Sequence, residues 1–351
     1  MSTVPRSPLR SVALVLAVTV VLSAVLTAVQ VPSPVLFAAV LGGMAHALTS
    51  PTPLALPGWG VLVAQGLIGI TVGALVDLAT LRRLGTEAVP VVLVVVGTLV
   101  LSIGAGRVLA LRRDVSPTTG VFSLVAGGAS GVVAVARDLG ADDRVVTVVQ
   151  YLRVLVVLLT MPVVTALVFH PPSGGGTPGS TDAGLPADLT FVAVSLAAGL
   201  LLARVVPVST MSLLGPLLVS SVLAAGGWLG AVSVPTALEW LAFALIGVQV
   251  GLRFTRASLH SIARMLPVVL ALIAVVVVGT AGLGEVLTWL TPADPLTAYL
   301  ATTPGGLFAV LAIASDSGAD ATYVMAVQLL RLLVILAILP LLARWLRRPG
   351  D

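Results

Sequence analysis

The chain has 351 residues, of which 58% are hydrophobic and only 9% charged, with a formal net charge of +4. An ordinary soluble domain carries roughly 25% charged residues, so this much apolar surface has to face lipid or other buried helices. All the basic residues are Arg, scattered at segment ends rather than clustered, which is no nucleic-acid footprint, and the lack of Cys excludes disulfides, thiolate metal sites and thiol nucleophiles.

In chain order, Arg6 and Arg10 precede an apolar run at 12–29 that imitates a signal peptide. A matching segment recurs in the second half, where no signal could stand, so the run is assigned to the fold. Further apolar stretches follow at 35–48, 60–78, 89–111 and 145–169, then at 189–206, 211–229, 236–252, 265–289 and 321–346. Two more, 118–136 and 296–314, are shorter and broken by glycines and a proline. The stretch from His170 to Pro186 is rich in Gly, Pro and Ser and reads as a flexible linker. The expected organisation is a first membrane repeat at 1–170, a linker at 171–186 and a second membrane repeat at 187–351.

The two halves are copies. Gly127-Gly128 and Gly305-Gly306 stand 178 residues apart, and that offset needs no gap elsewhere. It carries Asp138 onto Asp316, Asp142 onto Asp320, Gln150 onto Gln328, Arg153 onto Arg331 and Pro162 onto Pro340. Leu67-Ile68-Gly69 and Gly73 fall likewise on Leu245-Ile246-Gly247 and Gly251. Leu and Val matches could arise from composition, but the Asp, Gln, Arg and Pro matches together could not.

Arginine placement bears on orientation, because short cytoplasmic loops are enriched in basic residues. With the N-terminus inside and the broken segments re-entrant, Arg6, Arg10, Arg107, Arg112, Arg113, Arg137, Arg144, Arg204, Arg253, Arg256, Arg264, Arg344, Arg347 and Arg348 lie on or near the inside. Arg82 and Arg83 alone lie outside. Letting the broken segments cross divides the same residues evenly. The expectation is an all-α polytopic membrane protein of two inverted repeats, each of five spans plus one broken or re-entrant segment, about ten membrane helices in total.

The broken segments carry the first candidate site: Gly127, Gly128 and Ser130 in one copy, Thr303, Pro304, Gly305 and Gly306 in the other. Interrupted helices in matching positions of two repeats point to a transporter's substrate site, because freed backbone groups in lipid must find protein, water or ligand. The competing reading is a helix-packing device. Arg153 and Arg331 lie within spans, each with Gln three residues earlier (Gln150, Gln328), so each pair shares a helix face. A guanidinium there costs at least about 2.5–3.5 kcal/mol, and something must offset it. It coordinates an anion, or it clamps the carbonyls of the broken helix or a carboxylate.

Asp138, Asp142, Asp316 and Asp320 bracket Gly140 and Gly318. They read as helix stops and N-caps, with ion coupling as the alternative. Asp77 has no acidic mate and reads as interfacial. Gly69, Gly73, Gly247 and Gly251 read as packing contacts. The three His share no metal-ligand spacing, so no metal and no cofactor is expected.

The run Ala301-Thr-Thr-Pro-Gly-Gly306, then Gly318-Ala-Asp320, Gln328, Arg331 and Pro340, with its weaker first copy around Gly127, Gly140-Ala-Asp142, Gln150 and Arg153, resembles the bacterial membrane family called AbrB over essentially the whole chain. Ala126 stands where the second copy has Pro304, which sets symmetric roles for the two breaks in question. The resemblance implies an integral membrane protein linked by label to regulation of gene expression, and by another label to ammonia monooxygenase. It does not extend to the small DNA-binding regulators of the same name.

Three functions follow as expectations. The first is a secondary transporter of a small solute, with an anion as candidate, in the cytoplasmic membrane with both termini inside. The second is a membrane regulator acting indirectly, without direct nucleic-acid contact. The third, a monooxygenase, lacks the clustered His or carboxylate ligands that metal oxidation needs, so no enzyme is expected. The expected partners are the bilayer and an unidentified solute, with homo-oligomerisation left open.

Overall fold

The computed structural model describes residues 8–28, 31, 33–50, 54–76, 78–126, 132, 135–137, 139–170, 184–206, 210–227, 229, 232–256, 260 and 262–346. Gly127, Gly128, Ser130, Asp77, Asp138 and the linker positions 171–183 lie outside the described residues.

Among the described residues all regular structure is helical. The first half contains α1 (Pro8–Ala28), α2 (Pro34–Thr49), α3 (Gly58–Ala74), α4 (Leu78–Thr86), α5 (Ala88–Leu109), α6 (Pro117–Leu124) and α7 (Asp143–Val164), which runs into a π-turn over Thr165–Phe169. The second contains α8 (Gly184–Val205), α9 (Met211–Gly226), α10 (Thr236–Gly251), α11 (Leu266–Leu290), α12 (Pro295–Thr302), α13 (Leu307–Asp316) and α14 (Ala321–Leu346). Five described helices are long and apolar enough to cross a bilayer, and shorter apolar helices accompany them. At 1.5 Å per residue the 22 residues of α5 extend about 33 Å, near the thickness of a hydrocarbon core. The chain is an all-α membrane protein.

The sequence offset survives in the helix bounds. α6 moved by 178 residues becomes α12, end for end. The reason is local chemistry repeated at the same register. Ser116 and Asp294 each N-cap their helix, accepting from the backbone N–H of Thr119 at 3.2 Å and of Thr297 at 2.9 Å. Pro117 and Pro295 then occupy the first helical position, where a missing N–H costs nothing. Gly140 and Gly318, at φ +71° and +74°, supply the left-handed residue between each broken segment and the helix after it.

The described chain packs as two compact units, and each draws on both sequence halves. One unit comprises Met1–Leu78, Pro162–Phe254 and Phe308–Thr322. Within it α1 packs on α2, α2 on α10, α10 on α3, α3 on α9 and α9 on α8. The helices touch closely where glycines face backbone. A Cβ at Gly73 would lie 2.5 Å from the carbonyl oxygen of Leu217, and one at Gly251 2.2 Å from that of Val40. These are repeat mates doing the same job, as their spacing suggested. In the same unit the Asp316 carboxylate accepts from the backbone N–H of Ser33 and, at 3.2 Å, from its hydroxyl. That anchors Ser33 at φ 50°, a strained angle for a residue with a side chain.

The other unit comprises Ala79–Met161, Thr255–Leu307 and Tyr323–Asp351. Here α5 packs on α11, α6 on α5 and α12 on α11. A Cβ at Gly106 would sit 2.7 Å from the carbonyl oxygen of Gly120, and one at its mate Gly284 would sit 2.8 Å from Thr302 Oγ1 and 3.1 Å from the carbonyl oxygen of Ala298. Val121, Phe122 and Val125 join Val146, Ile335 and Leu342 in one buried cluster. That cluster fixes α6 against α7 and α14, the helices that bear the two Gln–Arg pairs.

Candidate functional site

Short helices end with carbonyls that have no intrahelical partner. α12 ends at Thr302, and Thr303 to Gly306 are non-helical before α13 begins. Pro304 causes part of this: in a continuing helix its N–H would bond Leu300, and proline has none. The interruption expected in the second copy is therefore present. In the first copy α6 ends at Leu124, and the Gly-Gly positions after it lie outside the described residues.

Side chains from the following long helix take the freed carbonyls. Gln328 Nε2 donates to the carbonyl oxygens of Leu300 at 3.0 Å and Thr303 at 3.1 Å. Arg331 Nη1 donates to Thr303 at 2.9 Å and reaches Thr302 at 3.5 Å, while its Nη2 donates to Gln328 Oε1. The first copy repeats the glutamine contacts on the equivalent carbonyls, but its arginine reaches one carbonyl instead of two. Gln150 Nε2 donates to Phe122 at 2.7 Å and Val125 at 2.9 Å, Arg153 Nη1 donates to Leu124 at 3.0 Å, and Arg153 Nη2 donates to Gln150 Oε1 at 2.9 Å. Phe122 and Leu300 are repeat mates, as are Leu124 and Thr302, and Val125 and Thr303. Of the two alternatives for the arginines, the clamp on broken-helix carbonyls is thus formed in both copies.

All four side chains are buried, with relative exposures of 1% for Gln150, 4% for Arg153, 3% for Gln328 and 7% for Arg331. Each hydrogen bond to a charged group contributes about 1.5–3 kcal/mol, which is the scale of the insertion cost. A cation at a helix C-terminus also complements the negative end of the dipole. The charge itself is not cancelled: among the described residues neither guanidinium has a carboxylate partner. Both belong to the same compact unit. Arg153 Nε is buried, with no hydrogen-bond acceptor among the described residues.

The other candidates divide. Asp142 is an N-cap: its Oδ1 accepts from the backbone N–H groups of Arg144 at 3.0 Å and Val145 at 3.2 Å. Asp316 does not cap a following helix but holds Ser33. Asp320 immediately precedes α14. Thr303 turns its hydroxyl back onto the Tyr299 carbonyl at 2.6 Å, so it reinforces the helix end. Gly306 faces α7, where a Cβ would contact Val154 at 3.5 Å, one residue from Arg153. Reading the sequence missed the caps Ser116 and Asp294, although a capping residue followed by Pro at the common offset was visible. It also missed Ser33, for which no sequence signal points to Asp316.

A family profile described as "Transition state regulatory protein AbrB" matches residues 35–347. A protein of Escherichia coli (strain K12) named "Putative regulator AbrB" is 32% identical over 332 residues, covering 91% of each chain. A Bacillus subtilis (strain 168) protein named "Uncharacterized protein YhjN" is 25% identical over 298 residues, 79% of this chain and 76% of its own.

Proposed function

The chain belongs to the AbrB family, and from that premise we propose that it is a secondary transporter of a small anionic solute rather than an enzyme. One observation carries the reading: in one unit, two buried guanidiniums sit at the ends of interrupted helices without a carboxylate partner among the described residues. Interrupted helices in duplicated membrane folds place polar groups where a solute can be bound away from lipid. The clasps keep the freed carbonyls satisfied while leaving guanidinium N–H groups over for an anion. Arg153, Arg331 and the segment from Thr303 to Gly306 are the residues on which recognition rests. Asp142 and Asp316 have structural partners, which makes them poor coupling sites. The protein resides in the cytoplasmic membrane with both termini inside, as the arginine distribution favours.

The test is counterflow in proteoliposomes with a panel of small organic anions. Saturable uptake that falls sharply in Arg331→Ala supports the proposal; no saturable uptake of any member, or equal rates in that variant, overturns it. A second reading, a membrane regulator, is favoured by the regulator name on the Escherichia coli relative. A deletion strain separates the two. If supplying one solute restores the altered expression, regulation is a consequence of transport.

A further inference from the structure

This inference rests on the transporter reading and narrows its substrate. We infer that the site takes a single divalent oxyanion shared between Arg153 and Arg331, with Arg153 the residue that engages it through its free Nε–H.

Carbonyl oxygens and a Gln amide offset the desolvation of a guanidinium, but they carry no net charge. Two cations, 4% and 7% exposed, therefore stand in one unit with no carboxylate partner among the described residues. Buried charges are ordinarily paired. A monoanion would neutralise only one, whereas a dianion discharges both and removes their mutual repulsion.

The two clasps also differ where the repeat is otherwise exact. Arg331 makes contacts with two carbonyls and with Gln328, whereas Arg153 makes one carbonyl contact and one to Gln150. Arg153 Nε has no acceptor among the described residues. An unpaired buried donor on a cation is a strong unsatisfied hydrogen-bonding demand. The non-helical segment at Gly306 lies against the neighbouring Val154. A break in one copy thus meets the clasp helix of the other, where a small solute could touch both.

Thermal unfolding of the full-length protein in neutral detergent, at constant ionic strength, tests this with succinate, sulfate and butyrate as probes. A saturable rise in midpoint with succinate or sulfate, at concentrations at least tenfold below those butyrate requires, is the expected result. The succinate and sulfate arms separate a dicarboxylate from an inorganic oxyanion. Arg153→Lys keeps the charge but loses Nε together with the two Nη contacts; it should unfold several degrees below the wild type without ligand, while half-saturation by the dianion rises at least tenfold. Butyrate matching both dianions, or no protection by either, overturns the divalent assignment. The transporter reading falls separately, on the counterflow assay: no saturable uptake of any anion, or equal rates in Arg331→Ala. Should Arg153→Lys not fold, the wild-type titrations decide the matter alone.

Discussion

Gln150 and Arg153, three residues apart on α7, close on each other and on the end of α6: Arg153 Nη2 donates to Gln150 Oε1 at 2.9 Å while Gln150 Nε2 donates to the Phe122 and Val125 carbonyls. The glutamine amide is thus both an acceptor for the cation and a donor to the helix end. No hydrophobic side chain can replace it, and neither can a carboxylate, which has no N–H.

Gln150→Ala should therefore leave two buried carbonyls and part of a guanidinium unpaired. The expected loss is about 2–3 kcal/mol, seen as a melting temperature lower by several degrees in detergent. Gln328→Ala should behave alike, because its bonds are the repeat mates. A melting temperature unchanged in both would mean that the clasps contribute nothing to stability.

Two glycines on one helix should respond in opposite directions. A Cβ at Gly104 meets nothing within 4 Å, whereas one at Gly106 would lie 2.6 Å from the Cα of Val121. Gly104→Ala should raise stability by up to about 1 kcal/mol through helix propensity. Gly106→Ala should lower it by about 1–3 kcal/mol by pushing α6 off α5. Thermal denaturation of the two variants side by side checks the sign.

Asp142 is expected to act as a cap and nothing more. Asp142→Ala should cost about 1 kcal/mol, and Asp142→Ser should restore most of it, since a hydroxyl can accept from the same N–H groups. Anion uptake per folded molecule should be unchanged in both. A loss of uptake in Asp142→Ser, with stability intact, would restore the coupling role.

Orientation can be read directly, because the natural chain has no Cys to remove. Single cysteines at Asp114 and Ala293, at the foot of the two broken segments, should be labelled from opposite sides of the membrane if the repeats are inverted. Labelling from one side would make the repeats parallel.

Much of this protein was legible as text. The offset between Gly127 and Gly305, the caps and prolines at Ser116-Pro117 and Asp294-Pro295, and the interruption at Pro304 all follow from residue identity at fixed spacing, because capping, missing N–H groups and apolar run length are local properties. The glycines at 73 and 251 announced close packing, but not that α3 meets α9 and α10 meets α2. Nor did the repeats reveal that packing would redistribute both halves between two compact units. The partners of Gln150, Arg153, Gln328 and Arg331 were hidden for a plainer reason. They are backbone carbonyls, which every residue possesses, so no side-chain pattern marks Leu124 or Thr303 as an acceptor. Only the folding of α6 and α12 against the long helices that follow them selects those oxygens.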